Sequence, residues 1–98
     1  MQTYILMTKL APEAAEQMRD RARIGRNWLE QVKSKCPQVR FIAHYALLGQ
    51  YDFLDIFEAP DPQTAATVSL ISRANGALQA ESWTAIPYKD FLNLIDSL

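Results

Sequence analysis

The chain has 98 residues, 49% of them apolar and 21% charged, with three glycines and a net charge of −1. That length accommodates one hydrophobic core, so residues 1–98 read as a single domain, and the composition excludes disordered, collagen-like and low-complexity classes. Near-zero charge argues against a nucleic-acid binder that depends on phosphate contacts, and no apolar run approaches the roughly 18 residues of a membrane-spanning helix.

The opening Met1-Gln2-Thr3-Tyr4 lacks the basic and apolar regions of a secretory signal. Cys36 is the only cysteine, so no internal disulfide can form. Beside Pro37, at a helix-to-strand junction, it reads as a small buried hydrophobe rather than a reactive thiol. A cytoplasmic location is therefore expected.

Thr3 to Lys9 is rich in strand formers. Pro12, Glu13 and Glu16 mark a helix start, with proline in the first turn and acids at the positive end of the dipole. Small or apolar residues at Ala11, Ala14, Met18, Ala22, Gly25, Leu29 and Val32 recur in steps of three and four, one helical stripe that Pro37 ends. Gly25 and the polar stretch from Arg19 to Arg23 are the weak points of this helix. Val39 to Leu48 and Asp52 to Ala59 form a hairpin across Gly49-Gln50. Asp61 caps a second helix, with Pro62 at its first position and Asn75-Gly76 at its end. Ala80 to Ile86 is a fourth strand. Pro87 opens a last amphipathic helix carrying Tyr88, Phe91, Leu92, Ile95 and Leu98.

The order strand-helix-strand-strand-helix-strand, with an added helix, predicts an α+β, ferredoxin-like βαββαβ fold with a four-stranded antiparallel sheet and helices on one face. A sheet with one wet face should alternate apolar and polar residues. These strands do not. Leu54 and Ile56 oppose Phe53 and Phe57, Leu6 and Leu10 oppose Ile5 and Met7, and Ile42 and Leu48 oppose Phe41, Tyr45 and Leu47. Each large side chain left in water forfeits about 1.5–3 kcal/mol. A second copy packed sheet to sheet is the expected cover, making a homodimer. The last helix folded over that face is the alternative.

Charge is unevenly distributed. Residues 1–48 hold eight basic and four acidic side chains, and residues 49–98 hold two basic and seven acidic. The run Arg19, Arg21, Arg23 and Arg26 reads as a solvated helix face. It also fits an anion-facing patch, or a surface that meets the acidic half of a second copy.

The string Leu48-Gly49-Gln50-Tyr51-Asp52, followed by Glu58-Ala59-Pro60-Asp61, resembles the signature of the GYD-domain family. Thr3-Tyr4-Ile5, Lys9, Glu81 and Ala85 extend the resemblance over almost the whole chain. It implies a dimeric α/β barrel and carries over no particular reaction, because that architecture hosts oxygenases, isomerases, haem enzymes and ligand sensors. The chain departs from the pattern in Gln50, inside the motif, and in Asp55, where an apolar strand residue is usual. Read physically, Gly49 permits a tight turn, Tyr51 lays its ring over the sheet edge and Asp52 binds backbone N–H groups of the turn.

Asp55 is the least expected residue. If Leu54 and Ile56 face the helices, Asp55 points between two sheets of a dimer, where desolvation would raise its pKa into the range useful for a general acid or base. His44, the only histidine, shares a strand face with Ile42 and is the second candidate for proton transfer. Tyr45, Phe53, Phe57 and Trp83 would line a pocket for a small, mostly apolar molecule. Glu81 shares the face of Trp83, and Trp28 and Ile24 lie off the main stripe of the first helix. No metal-ligand cluster, phosphate-cradling loop or nucleophile elbow is present, so no cofactor is expected. Three functions fit: a ligand-binding homodimer, a cofactorless oxygenase or isomerase using Asp55 or His44, and a structural or regulatory interaction module.

Overall fold

A computed structural model describes all residues 1–98. The elements are β1 (Gln2–Leu10), α1 (Pro12–Ala15), α2 (Arg21–Lys35), β2 (Arg40–Ala46), β3 (Phe53–Ala59), α3 (Pro62–Ala74), β4 (Ala77–Ala85) and α4 (Tyr88–Asp96). The four strands form one sheet in the order β2-β3-β1-β4, every neighbouring pair antiparallel. This is the expected α+β arrangement, βαββαβ plus a C-terminal helix.

Local chemistry explains the boundaries. Asp61 caps α3 by accepting a hydrogen bond from the Thr64 N–H at 2.7 Å, and Pro62 supplies the first helical residue. At the other end of α3, Gly76 has φ +99°, a conformation that a Cβ disfavours, and turns the chain into β4. Its carbonyl accepts from the Ala11 N–H at 2.9 Å, which seats the start of α1 against this turn.

The first helix is not continuous. It stops after α1, passes through a short 3-10 turn at Met18–Asp20 and resumes as α2. The break falls at Gln17, whose backbone (φ −89°, ψ 44°) leaves the helical region, and not at Gly25, which lies within α2. Three segments, α1, the 3-10 turn and α2, therefore carry the small-residue stripe that periodicity reads as one helix.

Tyr4, Leu6, Phe57 and Ala59 from the sheet meet Val32 of α2, Cys36 just beyond it, and Ala65 and Val68 of α3 in the core. Tyr4 stacks on Phe57 with ring centroids 5.6 Å apart. Cys36 is buried, as expected of a small hydrophobe, and burial pushes its thiol pKa up. Ser82 on β4 donates to the Ala65 carbonyl at 2.9 Å, tying the edge strand to α3.

The face assignment is the reverse of the one that aims Asp55 between two sheets. Phe53, Asp55 and Phe57 lie on the helix-covered face, because they pair across β1 with Thr8, Leu6 and Tyr4. Leu54 and Ile56 lie with Ile5 and Met7 on the open face. Alternation divides a strand into two sets but does not say which set the helices cover; here Phe57, fully buried among Tyr4, Val32 and Val68, belongs to the helix side.

Strand β2 contains a bulge between Phe41 and Ala43. Phe41 pairs with Phe57, and His44 pairs with Asp55, two residues along β3 but three along β2. The extra residue, Ile42, is exposed, and Phe41 and His44 fall on the same face despite their odd spacing. His44 therefore does not share its environment with Ile42.

The open face carries Ile5, Met7, Leu54, Ile56, Tyr45 and Trp83, the last two exposed. Every residue of α4 is exposed, including Tyr88, Phe91, Leu92 and Ile95 at helical spacing, so α4 does not cover its own sheet. The radius of gyration, 14.6 Å, exceeds the roughly 13 Å of a closely packed chain of this length, as a projecting helix requires.

Candidate functional site

The main cleft opens between α2 and the helix-covered face of the sheet and has a volume of about 460 Å³. Trp28 and Leu29 of α2 form its upper wall, Phe41 and Phe53 its sheet side, and His44 and Asp55 its polar floor. The bulge in β2 is what aims both Phe41 and His44 into it.

His44 Nδ1 and Asp55 Oδ1 are hydrogen-bonded to each other. The two partners differ in environment: Asp55 is 3% exposed, whereas the His44 side chain is more than half exposed and stacks on Phe53. Burial raises the Asp55 pKa above the ordinary carboxyl value, against the opposing pull of His44. A carboxyl group whose pKa burial raises, joined to an accessible imidazole, is suited to exchanging a proton with a molecule in the cleft.

Arg21, the first residue of α2, closes one end. Its guanidinium carbon lies 5.3 Å from the centre of the Phe53 ring, and its Nη1 is buried without a hydrogen-bond partner. Burial lowers the Arg21 pKa, partly offset by the negative charge of Asp52. The Trp28 indole N–H donates to Ser72 Oγ at 2.8 Å, and Ser72 in turn donates to the Val68 carbonyl at 3.1 Å. This chain fixes the indole as a rigid wall. Gly25 also lines the cleft, and a Cβ built there meets nothing within 4 Å. A glycine inside a helix costs about 1 kcal/mol relative to alanine, and here it leaves open the space that a side chain would fill.

The residues that the sequence groups into one pocket are thus divided. Asp55, His44 and Phe53 line the cleft; Phe57 is sealed in the core; Tyr45 and Trp83 lie on the other side of the sheet. Trp28, Phe41, Arg21 and Gly25 complete the cleft. Of these, Trp28 is marked in the sequence by its position off the helical stripe and Arg21 by the arginine run. Phe41 cannot be placed without the bulge. No cluster of three or more His, Cys, Asp or Glu residues could hold a metal ion, and no helix is long and apolar enough to cross a membrane.

The signature around the hairpin has its own geometry. Asp52 Oδ2 accepts from the Leu10 N–H at 2.7 Å, and the Asp52 N–H donates to the Thr8 carbonyl at 2.8 Å. The Asp52 side chain therefore binds the end of β1, while its carbonyl accepts from the Leu47 N–H across the hairpin connection at 2.8 Å. Tyr51 reaches across β1 to β4, where its hydroxyl donates to Glu81 Oε2 at 2.9 Å; Trp83 Nε1 donates to the other carboxylate oxygen at 3.1 Å. Hydrogen bonding to Glu81, burial and the Glu81 charge all raise the Tyr51 pKa. Glu58 stands 3.9 Å from Arg40 on the neighbouring strand. Gly49 is not required by its backbone: its φ is not positive, and a Cβ there would point into open space. Contacts of Asp52, and of Lys9 with the Gln50 carbonyl at 3.1 Å, hold the loop instead.

Fold and cleft together define a small ferredoxin-like α+β protein with an aromatic-walled cleft between helix and sheet. The GYD domain profile matches residues 4–95, and the chain belongs to that family. It is similar to the glutamine synthetase and cystathionine beta-lyase binding protein of Thermus thermophilus, with 32% identity over 93 residues, covering 94% of this chain and 96% of that protein. No solved structure matches the chain significantly.

Proposed function

We propose that the protein is a homodimeric binding module that holds a small, mostly apolar molecule in the cleft beneath α2 and acts through contacts with other proteins. The observation that carries this reading is the cleft itself. Its volume of about 460 Å³ lies in the range of small-molecule sites, its walls are aromatic and aliphatic, and a few polar groups converge at its floor. Gly25 keeps it open at a cost in helix stability. The cleft lies within each chain, beside rather than between the sheets.

The dimer is supported by the two-faced sheet and by α4, whose apolar residues have no cover in a single chain. Pairing through the face of Ile5, Leu54, Ile56 and Trp83 would remove them from water. The relative's name describes binding to two enzymes, which supports an output made through protein contacts rather than turnover.

Native mass spectrometry of the full chain tests both parts. The expected species has the mass of two chains and retains a small molecule. Gly25→Phe fills the cleft and should lose the molecule while keeping the pair. Ile56→Glu should give single chains that still bind. A Gly25→Phe protein that retains the molecule refutes the cleft, and a wild-type mass of one chain refutes the dimer.

The joined His44 and Asp55 favour a second reading, a cofactorless oxygenase or isomerase in which this pair moves a proton. Turnover abolished by Asp55→Asn, with binding intact, distinguishes it from the first.

A further inference from the structure

The charge of the cleft lining is one-sided. Arg21, Arg26 and His44 face a single acid, Asp55. Asp55 is already engaged by His44, so the two arginines are left without a counter-charge in the lining. Neither Arg21 nor Arg26 forms an ion pair within the chain; the ion pairs are Arg23 with Asp20, Arg40 with Glu58, and His44 with Asp55. Asp52, whose charge acts on Arg21, already accepts from the Leu10 N–H.

Arg21 is also poorly satisfied. Its Nη1 is buried with no acceptor, and its guanidinium carbon lies over the Phe53 ring. A guanidinium that lines a cleft without an ion-pair partner attracts an anionic ligand group. Guanidinium presents a rigid fork of N–H groups that matches the two oxygens of a carboxylate. Next to this fork lie the flat surfaces of Trp28, Phe41 and Phe53, the first locked by its hydrogen bond to Ser72.

We propose that the cleft selects a small organic carboxylate with a planar or branched apolar body. The carboxylate is held by Arg21, with Arg26 adding positive field, and the body lies on Trp28, Phe41 and Phe53. This rests on the reading of the cleft as a small-molecule site and adds its chemical class. His44 and Asp55 are further polar contacts of the same lining and help set which bodies fit.

The experiment compares acids with their neutral amides: phenylacetate with phenylacetamide, indole-3-acetate with its amide, and 4-methylpentanoate with its amide. Binding to the full chain is read from the Trp28 indole N–H resonance, assigned with Trp28→Phe. At least one acid is expected to bind tenfold or more tightly than its amide. Arg21→Gln should erase that preference without abolishing amide binding, and Arg21→Lys should keep part of it. Amides that bind as tightly as the acids overturn the carboxylate proposal and leave the cleft reading standing. An acid preference that survives Arg21→Gln overturns the role of Arg21. A chain that binds neither member of any pair overturns the proposal and the cleft reading together. The acid–amide comparison is made on the unmodified protein, so it does not depend on a variant folding.

Discussion

Asp55→Asn should stabilise the protein near neutral pH and leave it little changed in acid. The substitution keeps the shape of the side chain and one oxygen acceptor for His44 but removes the charge. In the wild type, burial acts against the ionised carboxylate more strongly than His44 acts for it, since the net displacement of the Asp55 pKa is upward. The folded state therefore holds the Asp55 proton to higher pH than the unfolded chain does. Between the unfolded and the folded pKa the native state binds more protons, so this group makes stability fall as pH rises, and its full cost persists above the folded pKa. A buried hydrogen bond to a charged group and the same bond to a neutral one differ by about 1 kcal/mol in favour of the charge, whereas desolvating a charge costs several. With His44 more than half exposed and Asp55 almost fully enclosed, the expected net gain in Asp55→Asn is about 1 kcal/mol. Urea unfolding at fixed protein concentration, at pH 4 and pH 8, measures it, and a carbon-13 titration of the Asp55 carboxyl locates the wild-type transition. A loss of about 1 kcal/mol or more at pH 8 that is absent at pH 4 would mean that the His44 pairing outweighs burial and would refute the reasoning.

Two further expectations concern the frame of the site. Gly76→Ala forces a Cβ into a backbone with φ +99° and to 2.9 Å from Ala14 Cβ; the conformational penalty of about 1–2 kcal/mol plus the close contact should lower Tm by roughly 10 °C, and an unchanged melting curve would show that the turn relaxes freely. Asp52→Ala leaves the Leu10 N–H at the end of β1 without its acceptor, an expected loss of about 1–2 kcal/mol in urea unfolding. Asp52→Asn, which keeps an oxygen, should recover part of it; equal loss in both variants would mean that the charge, rather than the bond, matters.

Much of the architecture is legible along the chain. Proline, the Asp61 cap and Asn75-Gly76 punctuate the elements through local backbone chemistry, and a short hairpin connection permits only antiparallel pairing of β2 and β3. The apolar character of both strand sets is legible too, because period-2 alternation needs no tertiary contact. The signature Leu48–Asp52 marks the family, but its work, joining β1 to the hairpin through Asp52 and β4 through Tyr51, depends on residues about 30 to 42 positions away.

Residue order alone is enough for the α+β class, the succession of elements, the apolar character of both sheet faces and the two unusual polar residues, His44 and Asp55. Which face the helices cover is a matter of packing, and with it goes the placement of Asp55 beneath α2 rather than between two sheets. Packing also sets the one extra residue in β2 that shifts the phase of the strand. Alternation is a local property, and one inserted residue reverses it for everything that follows. That shift brings Phe41 and His44 together with Phe53, Asp55, Trp28 and Arg21, residues spread over about 35 positions of the chain, around one cleft.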